Sequence, residues 1–469
     1  MKNVAWTSDE LSAALDITIS KAFVANKVEF NSKDILPGDI FIALQGGKRD
    51  ANEFIEDALK NGAILAIANE SYKKHPNVIN VKDSYEALNK LAIYKRKNSK
   101  AKFIGITGSV GKTSTKEAIV SIFSEFATTF SSKGNFNNHI GVPLILASLQ
   151  NDAVFSVNEM GMNHSGEIRA LSKMVKPHVA IITKIGPAHL EFFNSTEDIC
   201  KAKCEIFEGM EKDGTAIINK DCEFYDLQLK ILKDLGIKEI YSFGEDKNAD
   251  CCLEEYENFG EYSKLKYKIL GKEYIAKSHL LGRHQSVNLS AAILSALTLG
   301  LDVEKAIRVI ENIKPFNGRG AIHQIPLANN NIATVIDDAY NANPTSMKAA
   351  LEALAEKNGE KIAILADMRE LGPNAASLHA ELLSHVIKSG VTTLITIGSL
   401  MRNLYDAAKG NIAENIYFEE VSQETFEKIF DQISSRSTTI LLKGSNSTNV
   451  GAYLNFFKTK SNFLNSSNK

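Results

Sequence analysis

The stretch FIGITGSVGKTSTKEAIVSIFSEFA (103–127) predicts a buried strand, a tight turn and an amphipathic helix in direct succession. Small residues in the turn let backbone N–H groups point inward, and the helix that begins there adds partial positive charge. A lysine and a threonine can then reach the outer phosphates and the magnesium ion of a nucleotide. The strict pattern G-x-x-x-x-G-K-[ST] would need a glycine at Ile106, which Gly105 and Gly108 flank. The expected phosphate-binding residues are Gly108, Ser109, Val110, Gly111, Lys112, Thr113 and Ser114.

Outward from this loop, apolar runs alternate with helical stretches, which is typical of parallel sheets covered by helices on both faces. The N-terminal runs are short, as in GDIFIAL (38–44) and ILAIAN (64–69). An alternating segment between about 250 and 280 predicts antiparallel strands, and the proline and glycines of KPFNGRG (314–320) indicate a linker. We therefore predict an α/β protein of three domains. They are a small α/β domain (1–100), a central parallel-sheet domain with the phosphate loop (101–314) and a Rossmann-like doubly wound domain (315–469).

Composition excludes several classes of protein. The chain has 469 residues, with 54 Lys and Arg against 56 Asp and Glu, so the formal charge is −2. This near-neutral balance argues against a nucleic-acid partner. No apolar run approaches the roughly 18 residues of a membrane span, and the N-terminus lacks the apolar core of a signal peptide. The five cysteines follow no zinc spacing. We expect a soluble cytoplasmic protein with free thiols and no membrane insertion.

Polar residues follow several predicted strands, at the ends where ligands of parallel sheets gather. Glu159 follows FSVN, His189 follows AIITKIGPA, and Asp338 follows ATVID. Carboxylate oxygens suit Mg²⁺, although each carboxylate could equally be a helix cap and His189 a turn or core histidine. These patterns indicate a multidomain enzyme that binds a magnesium–nucleotide complex. They leave an ATPase, a GTPase, a kinase and a ligase open.

Over essentially its full length, the sequence resembles the Mur ligase family of ATP-dependent amino-acid and peptide ligases. TGSVGKTS (107–114) fits that family's shortened pattern T-G-x-x-G-K-[ST]. Within the family, NNHIGVPLILASL (137–149) and DDAYNANPTSMKAAL (337–351) resemble the ligases that add D-alanyl-D-alanine to UDP-N-acetylmuramoyl-tripeptide in peptidoglycan synthesis. Further support comes from GRHQSVNLSAA (282–292), LADMRELG (365–372) and LLKGSNS (441–447). The resemblance implies that the first domain binds UDP, the second ATP, and the third the dipeptide and part of the nucleotide.

The resemblance also implies roles for the metal and phosphate residues. Lys112 and the loop amides would hold the ATP phosphates, with Thr113 and Glu159 on one Mg²⁺. His189 would bind a second Mg²⁺, together with Lys203 if that lysine is carbamylated. Some relatives carry such a modified lysine in the motif A-K-x-x-[IL]-[FY], which residues 202–207 match. With Arg319, these are the expected catalytic residues: Lys112, Glu159, His189, Lys203 and Arg319.

The substrate contacts are carried over in the same way. Asn288 is expected near the adenine, Arg319 near the γ-phosphate and Asp338 near the ribose. Ser32, in NSKDILPGDIFIAL (31–44), is the expected uridine contact. The remaining expected substrate residues are Asn137, Asn138, Asn341 and Asn343, of which the last two would lie beside the dipeptide or the nucleotide.

Three positions depart from the family pattern. Asp50-Ala51-Asn52 stands where relatives usually have D-G-H, and His139 stands where glutamate is usual. Asn446 occupies the position of the arginine that is common in K-G-S-R. These departures bear on the uridine and dipeptide contacts, whereas the nucleotide and metal positions show none.

The implied reaction is ATP-dependent amide synthesis through an acyl phosphate, by a monomer. Alternatives are a sister ligase that adds a single amino acid, a folylpolyglutamate synthase, a P-loop kinase or switch GTPase that forms no amide, and a silent protein of the same fold. The asparagine-rich segment 337–351 argues against the first two. A guanine-reading N-K-x-D is absent, because Asn219-Lys220-Asp221 is followed by Cys222. The retained Lys112, Glu159 and His189 argue against a silent protein.

Overall fold

The structure is a computed structural model that describes residues 4–45, 50–73, 75–132, 134, 136–327, 331–433 and 437–466, the last five without their side chains. Its strands form three large, mainly parallel sheets and one two-stranded ribbon, which confirms the predicted α/β class. Within these ranges no helix is long and apolar enough to cross a membrane. The predicted domain limits, 100/101 and 314/315, fall between the last strand of one large sheet and the first of the next. As exact boundaries they stay predictions.

The N-terminal part begins with the ribbon and continues into a parallel sheet. Its elements are β1 (Trp6–Thr7), α1 (Ser8–Leu15), β2 (Val24–Ala25), β3 (Val28–Glu29), β4 (Ile40–Ile42), α2 (Ile55–Lys60), β5 (Leu65–Asn69), β6 (Val78–Val81) and α3 (Ser84–Asn98). Strands β1 and β2 pair antiparallel, and the parallel sheet has the order β3-β4-β5-β6. Helix α3 begins directly after β6 because the Asp83 carboxylate accepts the first N–H groups of the helix.

The central part carries nine strands in one sheet. Its strands are β7 (Lys102–Thr107), β8 (Thr129–Ser131), β9 (Phe155–Glu159), β10 (Val179–Ile182), β11 (Thr215–Asn219), β12 (Glu239–Gly244), β13 (Cys251–Asn258), β14 (Ser263–Ile269) and β15 (Lys272–Ser278). Its helices are α4 (Lys112–Ser124), α5 (Gly141–Ala147), α6 (Glu167–Val175), α7 (Thr196–Cys204), α8 (Tyr225–Asp234), α9 (Arg283–Thr298) and α10 (Val303–Ile310). The order is β15-β14-β13-β12-β11-β10-β7-β9-β8, with the predicted antiparallel strands β13–β15 at one end. Ile104 and Ile106 of β7 face one apolar core and Phe103 faces another, so the sheet is covered on both sides.

The C-terminal part is a second covered sheet. Its elements are β16 (Ala321–Pro326), β17 (Ile332–Asp338), α11 (Pro344–Ala355), β18 (Glu360–Ala366), α12 (Ala375–Ala380), α13 (Leu383–Lys388), β19 (Thr393–Ile397), α14 (Arg402–Ala408), β20 (Glu414–Phe418), α15 (Gln423–Ile433), β21 (Thr438–Lys443) and α16 (Ala452–Ser466). The order is β16-β17-β21-β18-β19-β20, parallel except for the edge strand β16. This arrangement is the predicted doubly wound sheet. Cores lie on both of its faces.

The carboxyl ends of these parallel strands bring the polar residues together. Glu159 ends β9 beside the phosphate loop. Asp338 and Lys443 end the neighbouring strands β17 and β21, where they are paired in register. The two sheet edges meet, since the backbone N–H of Glu191 donates to the carbonyl of Glu370 at 3.3 Å.

Helix α5 connects the central part to the N-terminal part. Leu144 and Ala147 pack in the same core as Trp6, and the Trp6 indole N–H donates to the Ala147 carbonyl at 2.6 Å. The Ser148 hydroxyl accepts from the Val28 N–H and donates to the Val28 carbonyl, at the edge of the N-terminal sheet. The loop that leads into α5 is thus anchored at one end in the N-terminal core.

Candidate active site

The phosphate loop is a tight turn between β7 and α4. Gly108 has a φ of +151° and Gly111 a φ of +90°. A Cβ on Gly108 would lie 1.9 Å from Thr183 Oγ1, and one on Gly111 would lie 2.6 Å from Asn288 Oδ1. Both positions therefore require glycine for space as well as for backbone conformation. Because Gly108 and Gly111 have no side chains, the loop can approach Thr183 after β10 and Asn288 on α9 closely.

The backbone of the loop is partly engaged within the protein. The N–H groups of Ser109 and Val110 donate to the Lys184 carbonyl at 2.8 and 3.3 Å, and the Ser109 hydroxyl donates to the Gly186 carbonyl at 2.9 Å. The first N–H groups of α4, from Lys112 onward, have no acceptor within the helix. The donors that remain for an anion are therefore those of the helix N-terminus.

Glu159 joins the loop to a neighbouring segment. One carboxylate oxygen accepts from the Thr113 hydroxyl at 2.8 Å. The other accepts from the side-chain amide of Asn137 at 2.8 Å. Glu159 is only 2% exposed, so these two donors satisfy a carboxylate that burial would otherwise destabilise. A hydroxyl and a carboxylate are thereby held together at the start of α4.

Lys112 lies at the centre of the charged groups. Its Nζ donates to the Gly108 carbonyl at 2.8 Å. Burial lowers the pKa of the Lys112 amine, Glu159 opposes that shift, and the nearby Arg319 guanidinium adds to it. The Arg319 guanidinium stacks over the Tyr340 ring, 4.1 Å from its centroid. Two cations, one from the central part and one from the segment before β16, thus approach the same space.

A second charged group comes from the C-terminal sheet. The buried Lys443 Nζ lies 2.6 Å from Asp338 Oδ2 and donates to the Asn341 carbonyl at 2.9 Å. It therefore fixes the strand end and the loop that follows it. His284 is adjacent, and burial lowers the pKa of its imidazole to about 4, which keeps it neutral at pH 7.

His189 contacts the C-terminal part directly. Its Nδ1 lies 2.6 Å from Glu370 Oε2, and this contact lowers the pKa of the Glu370 carboxyl. His189 and Glu370 both adopt left-handed backbone, with φ of +60° and +61°. Such residues cost roughly 1–3 kcal/mol each and concentrate at functional sites. The contact leaves Nε2 of the imidazole as the nitrogen available to a ligand.

Lys203 lies on α7 and is buried, with 1% of its surface exposed. Its amine forms no hydrogen bond or ion pair with any described residue. Burial and then the positive charge of Lys112 hold the pKa of the Lys203 amine well below its usual range. A neutral amine is the form that burial favours here.

Two adjoining cavities collect the site residues. The first cavity, about 230 Å³, lies between the phosphate loop, α9 and the C-terminal strand ends. The second cavity, about 330 Å³, continues from Lys112 and His189 toward the loops after β18 and β21. Residues of the first cavity include Ser109, Val110, Gly111, Lys112, Thr113, Ser114, Asn137, Glu159, His189, His284, Asn288, Arg319, Asp338, Tyr340, Asn341, Asn343 and Lys443. Those of the second include Ser109, Lys112, His189, Asn341, Asn343, Arg369, Glu370, Ser445, Asn446 and Ser447.

Most of the residues predicted from sequence therefore line the first cavity, with four differences. Gly108 lines neither cavity, although its carbonyl accepts from Lys112 Nζ. The Asn138 side chain accepts the N–H groups of Ile140 and Gly141 and so starts α5 instead of lining the cavity. Ser32 lies in a short turn of the N-terminal part, away from both cavities. Lys203 lies behind the loop and lines neither cavity.

Sequence reasoning did not single out several lining residues. They are His284, Tyr340, Arg369, Glu370 and Lys443. Lys443 carried a usable signal, because it ends the apolar run TTILLK at the sheet edge where ligands gather. The others belong to loops whose partners lie far away in the sequence.

The donor set is compatible with Mg²⁺ at one position. The Thr113 hydroxyl and the Glu159 carboxylate are hard oxygen donors held 2.8 Å apart, as Mg²⁺ beside phosphates requires. His189 offers a nitrogen, and Lys203 offers an oxygen only if its amine carries a carbamate. Among the described residues, no cluster of three or more His, Cys, Asp or Glu side chains could hold a metal by itself. A magnesium ion here would depend on phosphate oxygens for further ligands.

Comparison with known proteins identifies the family of the chain. Residues 106–296 match the family model of the Mur ligase middle domain, and residues 324–446 match that of the Mur ligase glutamate ligase domain. The UDP-N-acetylmuramoyl-tripeptide--D-alanyl-D-alanine ligase of Rickettsia prowazekii (strain Madrid E) is 41% identical over 456 residues, which cover 97% of this chain and 100% of that protein.

Solved structures lead to the same family. MurF from Acinetobacter baumannii superposes with a TM-score of 0.84 at 30% identity, covering 97% of this chain and 99% of that one. MurF ligase from Thermotoga maritima, solved in complex with ADP, gives 0.78 at 26% identity, covering 93% and 98%. The chain therefore belongs to the Mur ligase family, whose members are ATP-dependent ligases that form an amide bond.

Proposed function

We propose that this chain uses ATP to join D-alanyl-D-alanine to UDP-N-acetylmuramoyl-tripeptide, through an acyl phosphate, in peptidoglycan synthesis. The observation that carries the proposal is that Lys112 lies where the two cavities meet. One cavity suits a nucleotide, and the other gives an amine access to the same point. The full-length similarity to ligases named for this reaction supports the choice of substrates.

ATP would occupy the first cavity. Its phosphates would lie on Lys112 and the N-terminus of α4, with Arg319 at the γ-phosphate. Asn288 on α9 and Asp338 after β17 would contact the adenine and the ribose. Asn137 would not contact ATP itself but would position Glu159, to which its side-chain amide donates a hydrogen bond. This placement leaves the γ-phosphate at the junction of the two cavities.

Mg²⁺ would be held by Thr113 and Glu159, with a second ion at His189 and a carbamylated Lys203. When bound, these Mg²⁺ ions would neutralise phosphate charge and polarise the phosphoryl group. The buried, unpaired Lys203 amine supports carbamylation, because a neutral amine is the nucleophile that reacts with carbon dioxide and a carbamate then provides oxygen ligands.

In the first step, a carboxylate oxygen of the tripeptide attacks the γ-phosphorus of ATP. The bond to the β–γ bridging oxygen breaks, which releases ADP and leaves an acyl phosphate. Lys112 and Arg319 stabilise the charge that spreads over the transferring oxygens. The main contributions of the protein are thus positioning and charge stabilisation.

In the second step, the amine nitrogen of the dipeptide attacks the acyl carbon. The carbon–oxygen bond to phosphate breaks, inorganic phosphate leaves, and the nitrogen loses a proton to give the amide. The backbone contact between Glu191 and Glu370 lies beside the second cavity and would limit access of water to the acyl phosphate.

The N-terminal part would hold the UDP end of the tripeptide, with Ser32 as a uridine contact. Asn138 would support this placement through the start of α5, which is anchored in the N-terminal core. Asn341 and Asn343 line both cavities and would lie near the phosphates and the dipeptide. We also propose a monomer. The cytoplasm stays the predicted location.

The test is release of phosphate from ATP by the purified chain, with each substrate supplied alone and both together. We expect release that requires both UDP-N-acetylmuramoyl-tripeptide and D-alanyl-D-alanine. If the tripeptide carboxylate is labelled with oxygen-18, the released phosphate should carry one labelled oxygen. Release with neither substrate would indicate an ATPase, and activity with a single amino acid would indicate a sister ligase. ATP binding without turnover would indicate a silent protein.

A further inference from the structure

The far end of the second cavity is built by two loops of the C-terminal sheet. Arg369 and Glu370 follow β18, and Ser445, Asn446 and Ser447 follow β21. The near end is Lys112 and His189, where the proposed reaction takes place. A small molecule that occupies this cavity with its amine at the near end would extend toward these loops.

Arg369 is held in place by buried groups. Its backbone N–H donates to the Ser445 hydroxyl at 2.9 Å. One guanidinium nitrogen lies 3.6 Å from Asp367 Oδ2, and this aspartate side chain is 1% exposed. The other Asp367 oxygen accepts the Met401 N–H at 2.8 Å. Asp367 therefore anchors one side of the guanidinium group.

The rest of the guanidinium remains available. The Arg369 side chain is 53% exposed, and Asp367 is its only ion-pair partner among the described residues. An arginine presents several N–H groups in a rigid planar fork that matches a carboxylate. One edge of this fork is thus anchored while another can bind a ligand.

The other charged groups of the second cavity are already engaged. Glu370 faces His189 at 2.6 Å, and Lys112 donates to the Gly108 carbonyl at the reaction end. Arg369 is therefore the cation that the far end offers to an anion. The molecule that fits has an amine at one end and an anionic group at the other.

We propose that Arg369 binds the C-terminal carboxylate of the incoming dipeptide and so orients its amine toward Lys112 and His189. This inference rests on the proposed function and adds a residue that determines specificity. Asn446 supports it, since this residue lines the same cavity and follows Ser445, which fixes the Arg369 backbone. A guanidinium at position 446 would enter the same space, so the missing arginine of K-G-S-R is replaced from the neighbouring loop.

The test compares D-alanyl-D-alanine with its C-terminal amide, which lacks the carboxylate, at saturating ATP and UDP-tripeptide. We expect the wild-type chain to prefer the acid by about 10- to 100-fold in kcat/KM, as loss of a charge-assisted hydrogen-bonded pair implies. In Arg369→Ala this preference should fall to about one, mainly through KM for the acid. Arg369→Lys should retain part of it, because the charge stays but the fork is lost.

Two further variants separate recognition from folding. In Arg369→Ala/Asn446→Arg, the preference for the acid should return in part, although the contact with Asp367 is not rebuilt. Arg402→Ala is the matched control, because Arg402 is an exposed arginine at the start of α14 in the C-terminal part that stacks on Tyr417. It should leave the preference unchanged.

An undiminished preference for the acid in Arg369→Ala would overturn the inference. A rise confined to KM for the UDP-tripeptide would also overturn it, because the bound carboxylate would then belong to the acceptor. If Asn446→Arg restores no preference for the acid in the Arg369→Ala background, positions 369 and 446 do not reach the same carboxylate, which would count against the inference. A wild-type chain that makes no product from either dipeptide would refute the proposed function instead.

Discussion

Lys443→Met removes a charge from the site while keeping a side chain of similar length. In the wild-type structure the amine lies 2.6 Å from Asp338 Oδ2 and donates to the Asn341 carbonyl at 2.9 Å. Lys443 is 2% exposed and the Asp338 side chain 24% exposed. The substitution leaves a largely desolvated carboxylate without its cation, so we expect the loop after β17 to open more easily.

The size of the effect follows from these exposures. Removing one partner of a buried ion pair costs roughly 3–5 kcal/mol. Because Asp338 keeps some contact with water, we expect about 2–3 kcal/mol here. That corresponds to an opening equilibrium that is roughly 30- to 150-fold more favourable.

Amide hydrogen exchange measures this opening at a defined place. The Tyr340 N–H lies in the affected loop and donates to the Gly318 carbonyl at 3.1 Å. Its exchange should accelerate by the same factor in Lys443→Met, and ATP affinity should fall because Asp338 and Asn341 line the first cavity. Lys458→Met, on the exposed surface of α16, serves as the control and should change neither quantity.

A double-mutant cycle decides whether the pair is the cause. Asp338→Asn should cost less opening free energy in the Lys443→Met background than in the wild type, because the carboxylate no longer has a cation to satisfy. Simple additivity of the two substitutions would refute the reasoning. So would an unchanged exchange rate at Tyr340.

Three further predictions follow from the central part. Lys112→Ala should abolish ADP formation while UDP-tripeptide binding, measured by calorimetry, survives. Gly111→Ala should lower kcat/KM for ATP at least about tenfold, because the alanine Cβ would lie 2.6 Å from Asn288 Oδ1 in a left-handed turn. The pKa of His178 is lowered to about 4 by burial, and its Nδ1 accepts the Phe103 N–H at 3.0 Å. Its contribution to stability should therefore be lost as the pH falls from 6.5 to 4, where the unfolded chain takes up a proton. The urea midpoint of His178→Asn, which keeps an acceptor that does not titrate, should fall less.

Each of these has an outcome that would contradict it. Equal loss of ADP formation and UDP-tripeptide binding in Lys112→Ala would indicate misfolding. Wild-type kinetics in Gly111→Ala would mean that the loop does not approach α9 in the active enzyme. Identical pH profiles of the urea midpoint for the wild-type chain and for His178→Asn would mean that other groups cause the acid sensitivity.

The fold could be read largely from apolar periodicity. The runs at 103–108, 153–161, 179–186 and 215–221 all contain strands of one sheet, because buried parallel strands are continuously apolar. Strands β16 and β20 are not visible in this way. They lie at the two edges of the C-terminal sheet, and β20 is only half-buried, so its sequence lacks a long apolar run.

The site could be predicted only where function is encoded locally. The phosphate loop needs glycines at fixed places for steric reasons, so Gly108 and Gly111 are visible in the sequence. Asn137 and Asn138 look equivalent there, yet one donates to Glu159 and the other starts a helix. Adjacent loop residues point in different directions, and only the path of the backbone decides which faces the cavity.

The first cavity contains two cations that have no ion-pair partner among the described residues. Lys443 is neutralised by Asp338, whereas Lys112 and Arg319 form no ion pair with any described residue. Arg319 contributes to lowering the pKa of the Lys112 amine, so the two cations repel each other in the protein alone. A polyphosphate would reverse this unfavourable arrangement, because its negative charge would lie on both cations at once. A nucleotide bound as proposed would therefore be attracted by both cations, and its γ-phosphate would lie between the central and C-terminal parts.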